Sequence, residues 1–167
     1  MSDVTDWQHA YAIQARADFE AYHILRLSPG LPQCLSLHYL QMACEKLCKS
    51  YLCSHKVDPR FLQTSHAYTA KNLPEMFFAQ RAHLRRRPQR RFSALMKQVK
   101  NLSREIELLA PTVDSQRRPD NCEYPWEDAQ GSVIVPAEYA FTTLSLLSEQ
   151  AGQELLKIIP LAIDELL

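Results

Sequence analysis

The sequence has little glycine, with three residues among 167. Because glycine is the usual residue where the backbone needs a positive φ, this scarcity disfavours a fold built from many β-hairpins. No apolar run approaches the roughly 18 residues that cross a bilayer. The residues from Met1 to Asp6 are polar and acidic, unlike the start of a secretory signal peptide. We therefore expect a cytoplasmic protein with no membrane partner.

The sequence also lacks the motifs that hold metals, phosphates and catalytic nucleophiles. Its five cysteines include no Cys-x2-Cys pair, and Cys44 and Cys48 follow the apolar spacing of a predicted helix. We expect them to be reduced thiols that pack as small apolar residues, which excludes a disulfide framework. No Gly-rich phosphate loop is present either. The prediction is therefore that the protein carries no metal and no other cofactor.

Acidic residues are absent between Met76 and Arg104, a basic stretch that carries nine arginine or lysine side chains. The net charge of the whole chain is zero, because residues 114–167 hold ten acids against three cations. The basic stretch therefore indicates either a phosphate-binding surface or a solvated face that complements the acidic C-terminal region. Its candidate nucleic-acid-binding residues are Arg81, Arg85, Arg86, Arg87, Arg90, Arg91, Lys97 and Arg104.

Helical periodicity predicts an all-α fold: a helical bundle of four to five main helices, mostly antiparallel, with one long irregular loop before the last helix. The length suits a single domain that covers residues 1–167. We place the helices at about 5–26, 33–53, 64–86, 88–109 and from 136 onward. Pro74 is expected to kink or split the third helix, and Pro160 to kink the last one or start a short final helix.

Two of these helices carry informative charges. On the helix over 88–109, at 100° per residue, Arg90, Lys97, Lys100 and Arg104 lie nearly opposite the apolar residues, so they should face solvent or a partner. The helix over 33–53 has one apolar stripe. The polar residues that fall mostly outside that stripe are Gln41, Glu45, Lys46 and Lys49.

Three segments carry a family resemblance. The helix over 37–52, which contains Ala43, Glu45, Lys46 and Lys49, is similar to an "aqqAxEKxxKAxL" helix. The segment 65–68 takes the place of a Gly-His-Asp-Leu helix start, and Tyr124-Pro125 is similar to an "RYP" loop before a long last helix. Over about residues 33–167 the chain thus resembles the HEPN family, small helical bundles of prokaryotic toxins, nucleotidyltransferase partners and RNA-processing enzymes.

The resemblance also implies candidate catalytic residues. Catalytic HEPN members use an Arg-x4-6-His motif, which two copies bring together in a dimer, as a metal-independent ribonuclease site. The arginine holds phosphate while the histidine moves protons during attack by the RNA 2′-hydroxyl. Arg60 and His66 fit this spacing, but they lie earlier than the family's motif, and no histidine follows His83. A non-catalytic relative is therefore the preferred interpretation.

The leading prediction is a non-catalytic HEPN-like module that binds RNA, a nucleotide or a nucleic-acid-modifying partner, such as a nucleotidyltransferase-type protein, through its basic surface. The alternatives are a toxin-like, metal-independent endoribonuclease and a purely structural homodimeric interaction protein. A homodimer is expected, since the last helix is apolar enough to supply a two-fold interface. Tyr124, Pro125 and Trp126 would either stack on a base or fix their loop to its own core.

Overall fold

The computed structural model describes residues 3–83 and 88–167, and these form a mostly helical bundle with a very small two-stranded sheet. The all-α bundle predicted from periodicity is confirmed. The helices are α1 (Val4–Leu27), α2 (Gln33–Ser54), α3 (Pro59–Leu62), α4 (Thr69–Ala79), α5 (Gln89–Glu107), α6 (Thr142–Ser148) and α7 (Gln150–Leu166). Short 3-10 turns cover Gln80–His83 and Pro136–Glu138, and strands β1 (Trp126–Glu127) and β2 (Val133–Ile134) pair antiparallel.

Helix α2 is the central element of the bundle, since α1, α4, α5 and α7 all pack against it. It runs antiparallel to α1: the Ser50 hydroxyl near its end donates a hydrogen bond to the Gln8 carbonyl near the start of α1. Apolar residues of α2 such as Leu40 and Leu47 are fully buried in a core that also includes Phe77 of α4 and Ile159 of α7. Helix α2 is therefore enclosed on several sides, and not only along one apolar stripe.

The segment before α4 differs from its prediction. Helix α4 begins at Thr69 rather than near residue 64, and a separate one-turn helix, α3, precedes it. The Asp58 side chain caps α3 by accepting a hydrogen bond from the Arg60 amide, while Pro59 fills its first turn. Pro74 lies inside α4 without splitting it. The segment Val57-Asp58-Pro59, which follows the end of α2, thus also starts a short helix of its own.

The end of the chain also differs from the single helix predicted from residue 136. A 3-10 turn comes first, α6 ends at Ser148, and α7 starts at Gln150 and continues through Pro160. The apolar face of α7 is buried inside the bundle, with Leu155, Ile159 and Ile163 almost inaccessible to solvent. The expectation that the last helix offers a two-fold interface is therefore wrong, because its own core covers that face.

The predicted irregular loop over 111–135 contains the small hairpin of β1 and β2. The hairpin turn is closed by Asp128, whose side chain accepts hydrogen bonds from the Gln130 and Ser132 amides. Trp126 packs edge-on against Tyr139, with ring centroids 5.0 Å apart, while Tyr124 is largely exposed. Two roles were considered for these aromatics, and Trp126 takes the second: it fixes the loop to the bundle.

Among the described residues, no helix combines the length and apolar character that crossing a bilayer requires.

Candidate nucleic-acid interface

The exposed side of α5 carries a row of cations. Arg90, Lys97, Lys100 and Arg104 are all exposed, and we call this set the basic face. The opposite side of the same helix is buried, with Val99 and Ile106 fully so. The spacing of residues along one helix determines this segregation, and the structure shows the arrangement expected from the sequence. Arg91 is exposed beside Arg90 in the first turn.

The basic face has no ion-pair partner in the part of the chain that the structure describes. None of its four side chains lies within ion-pair distance of a described carboxylate. From Arg90 to Arg104 the face extends about 21 Å along the helix axis at 1.5 Å per residue. A row of that length reaches several successive phosphates of a nucleic acid strand.

The remaining predicted cations cannot be placed on this face. Arg85, Arg86 and Arg87 lie outside the described residues, and only the backbone of Arg81 is described, in the Gln80–His83 turn. The interface that the described residues define therefore consists of the α5 cations alone.

Two surface grooves border the basic face. The α4–α5 groove, of about 510 Å³, lies on one side and includes Lys100 in its lining. A smaller groove of about 270 Å³ lies between α5 and the α6–α7 segment and includes Lys97. The two lysines thus stand at the borders of separate concave surfaces, and a ligand on the basic face has a groove within reach on either side.

Two arginines outside α5 are held by carboxylates. Arg118 contacts Asp120 and Glu105, and these hydrogen bonds, the Asp120 bonds first, raise the pKa of its guanidinium further above its usual range. Arg16 of α1 pairs with Asp164 of α7. These arginines tie elements of the fold together, which distinguishes them from the cations of the basic face.

The structure does not bring the two candidate catalytic residues onto a common partner. The exposed Arg60 guanidinium contacts Asp58, with one N–O distance of 2.5 Å, and this pair holds the pKa of the Asp58 carboxyl below its ordinary value. His66 instead contacts Glu45: its Nδ1 lies 3.0 Å from both carboxylate oxygens. Arg60 and His66 fit the motif's spacing, but each is bound to a different carboxylate.

Glu45 is the centre of a polar network that crosses from α2 to the segment before α4. Gln41 Nε2 donates a hydrogen bond of 2.9 Å to Glu45, and Lys49 Nζ lies 2.7 Å from its carboxylate. Glu45 and Lys49 are only 3% and 5% exposed. Burial alone would raise the pKa of Glu45, but hydrogen bonds from Lys49 and His66 outweigh it and lower that pKa. We call these four residues the Glu45 network.

The sequence pattern does not predict this network, because it places the polar residues of α2 mostly outside the apolar stripe. Gln41, Glu45 and Lys49 are in fact buried, and only Lys46 remains partly accessible, where it pairs with Asp18. Gln41, Glu45 and Lys49 are spaced by four residues, so they lie in one row along α2. This spacing is the one feature of the sequence that points to contacts among them. The spacing does not reveal that the segment before α4 lies against this row and brings His66 into contact with Glu45.

The cysteines lie in the interior. All five are buried, and burial raises the pKa of the Cys44 thiol to about 12. These thiols are therefore protonated at neutral pH and pack as apolar groups. Within residues 3–83 and 88–167, no three His, Cys, Asp or Glu side chains converge as metal ligands would.

Comparison of the chain with models of protein families, with curated proteins and with solved structures finds no match. The functional interpretation therefore depends on the residues themselves.

Proposed function

We propose that this protein is a non-catalytic, HEPN-like module that binds RNA through the basic face of α5. The observation that carries the proposal is the row of four exposed cations with no carboxylate at ion-pair distance among the described residues. Lys and Arg side chains in such a row neutralise phosphates and release condensed counterions, which is the main source of affinity for nucleic acid. The resemblance of α2 to the family's helix supports the same class of ligand.

The alternative role for the basic face is to complement the acidic C-terminal region within the chain. Two acids of that region have partners outside α5. Asp164 pairs with Arg16 of α1, and Glu165 accepts a hydrogen bond from Gln80 at the end of α4. These two acids are thus already used in packing α7 against its neighbours, which favours an external ligand for α5.

Removing two cations from the centre of the basic face should weaken RNA binding and reduce its dependence on salt. For Lys97→Ala with Lys100→Ala, we expect about tenfold lower affinity for single-stranded RNA at low salt. The slope of log K against log salt should flatten by about 1.4, at roughly 0.7 per single-strand phosphate contact. Fluorescence anisotropy with a labelled RNA oligomer across a salt series measures both quantities.

The matched control removes the same charge from exposed sites elsewhere, with Arg117→Ala and Lys157→Ala. It should leave the slope unchanged. Absence of RNA retention at low salt, or equal losses in the two double variants, would refute binding through α5. The same assay includes three competitors: DNA of the same sequence, a free nucleotide and a co-purifying nucleotidyltransferase-type protein. If the protein binds one of them more tightly than RNA, that competitor replaces RNA as the proposed ligand.

The ribonuclease alternative is tested with the same RNA. If the protein is non-catalytic, the oligomer stays intact in a metal-free incubation, and His66→Ala binds it as the wild type does. Metal-free cleavage that disappears in His66→Ala would establish the alternative. The separate carboxylate partners of Arg60 and His66 favour the intact outcome.

A specific observation also supports a homodimer, through α1 rather than the last helix. Ile13, Ala17, Ile24 and Leu27 are all exposed, and Leu27 is 81% and Ile24 67% accessible. They are spaced by four, seven and three residues, the heptad spacing with which two like helices pack. Glu20 takes the one polar position in the row. We infer that a second copy of the chain covers this α1 stripe.

Introducing charge into the α1 stripe should therefore dissociate the dimer. Leu27→Glu places a carboxylate where the partner helix would pack, and the apparent mass is expected to fall from two chains to one. Light scattering after size exclusion measures the mass. Phe61→Glu makes the same kind of change on α3, at a residue that is 72% exposed, and should leave the dimer intact. A wild-type monomer at micromolar concentration would exclude this interface.

A further inference from the structure

We propose that the α4–α5 groove accepts an unpaired guanine base of single-stranded RNA whose phosphates lie on the basic face. This inference rests on the RNA-binding function proposed above and specifies the substrate. Three features of the groove support it: an aromatic side chain, two lysines and a single exposed carboxylate line the same concave surface.

The floor of the groove suits a planar base. Pro74 and Phe78 of α4 and Met96 of α5 line it. The Phe78 ring contacts Phe92, with centroids 5.8 Å apart, yet 45% of Phe78 remains exposed. Bases that have left a helical stack are held in RNA-binding proteins by stacking on such aromatic side chains. The volume of about 510 Å³ falls in the range of pockets that bind small organic ligands.

The border of the groove supplies the charges for the nucleotide's phosphate. Lys71 of α4 and Lys100 of α5 both line the groove, and Lys100 is also a member of the basic face. A strand that follows the basic face therefore passes the mouth of the groove, so that one of its bases can turn inward while its phosphates keep their contacts with lysine. Charge complementarity thus favours a nucleotide over an uncharged aromatic ligand.

Glu75 gives the groove a basis for selecting among bases. It is exposed in the groove, and within the described residues no ion pair joins it to Lys71, four residues earlier on α4. An ionised carboxylate only accepts hydrogen bonds. The Watson–Crick edge of guanine offers two adjacent donors, N1–H and the N2 amino group, which match two carboxylate oxygens. Adenine, cytosine and uracil each place an acceptor beside their donor, so they pair less well with Glu75.

The groove between α5 and the α6–α7 segment lacks these features. Its lining includes Lys97 and Glu149, but none of the residues around it is aromatic, and its volume is about half that of the α4–α5 groove. A base placed there would have no ring on which to stack. The difference between the two grooves therefore favours the α4–α5 groove as the site of the base.

The test compares uridine oligomers that contain a single guanosine, adenosine or cytidine with the plain uridine oligomer. We expect the guanosine oligomer to bind the wild-type protein about tenfold more tightly than the others. Glu75→Gln should abolish this preference and leave binding of the plain oligomer intact. Phe78→Ala should weaken binding of every oligomer about tenfold, through lost stacking, and Phe78→Tyr should retain it.

The controls make the same chemical changes away from the groove. Glu138→Gln and Phe61→Ala alter an exposed acid and an exposed aromatic residue, and neither should change affinity or base preference. Thermal unfolding of each variant shows that the fold is retained. A duplex RNA of the same composition should bind without guanine preference, since its bases stay stacked.

The outcomes separate this inference from the function on which it rests. If the plain uridine oligomer is not retained at low salt, the proposed RNA binding itself fails. If that oligomer binds but shows no guanine preference, or Phe78→Ala binds as the wild type does, the groove is not a base site while RNA binding stands. A protein partner released by Phe78→Ala, with RNA affinity unchanged, would also overturn the inference.

Discussion

Replacement of Gly152 by alanine is expected to destabilise the bundle by about 3 kcal/mol, because the new methyl group has no space. A Cβ atom on Gly152 would lie 2.4 Å from Leu147 Cα and 2.5 Å from the Leu146 carbonyl oxygen. Both are backbone atoms, which cannot rotate away as a side chain would. The junction of α6 and α7 would have to open, and urea unfolding followed by circular dichroism would show the lower free energy of unfolding.

Gly30→Ala provides the control for this prediction. Gly30 has a positive φ of 81°, but a Cβ atom there meets no other atom within 4 Å. The change should therefore cost only the strain of the left-handed conformation, about 1 kcal/mol. Equal losses in the two variants would mean that the α6–α7 junction relaxes easily and that the close approach at Gly152 does not hold it.

This junction also shows where sequence periodicity stops being informative. From Leu144 to Ile163 the apolar residues continue at helical spacing, so the pattern predicts one helix across Glu149. The chain instead breaks there, and α6 folds against α7 at Gly152. Helical spacing records which residues are apolar, whereas the break depends on how closely two backbones approach. That approach is a tertiary property, and a lone glycine is its only local sign.

The two polar features of the chain differ in predictability for the same reason. The basic face depends on residues 3, 4 or 7 apart on one helix, so its exposure could be predicted from spacing alone. The Glu45 network depends on His66, 21 residues away, and on the packing of four other helices around α2. A helix enclosed on several sides buries polar residues that an amphipathic pattern assigns to its surface. Local sequence patterns contain no information about that enclosure.

The Glu45 network leads to the other large expected effect. Glu45→Ala should lower the free energy of unfolding by about 3–5 kcal/mol, since it leaves the Lys49 ammonium buried without its carboxylate. The same change removes the acceptor for Gln41 Nε2 and for His66 Nδ1. The Tyr68 ring, whose centroid lies 5.8 Å from Lys49 Nζ, is a much weaker partner for the cation than the carboxylate.

Two further variants identify the origin of this loss. In Glu45→Met with Lys49→Met, both charges are replaced by apolar side chains, and the double variant should be more stable than Glu45→Ala. Asp164→Ala removes the carboxylate of the exposed pair with Arg16 and should cost less than about 1 kcal/mol. If the double methionine variant were as unstable as Glu45→Ala, the uncompensated Lys49 charge would not be the cause.

The pH dependence of stability provides an independent measurement of the same network. Because its partners lower the pKa of Glu45 in the folded protein, its contribution is present above the unfolded-state pKa and is lost as pH falls through the lower, folded-state pKa. Burial chiefly raises the pKa of Glu107, so that group acts in the opposite sense, and stability is lost as pH rises through its unfolded-state and folded-state values. Over the acidic range, Glu45→Gln should therefore lose less stability than the wild type, while Glu107→Gln should lose more. Chemical unfolding at a series of acidic pH values tests both signs, and an unchanged slope in Glu45→Gln would mean that its carboxylate gains nothing from Lys49 and His66 on folding.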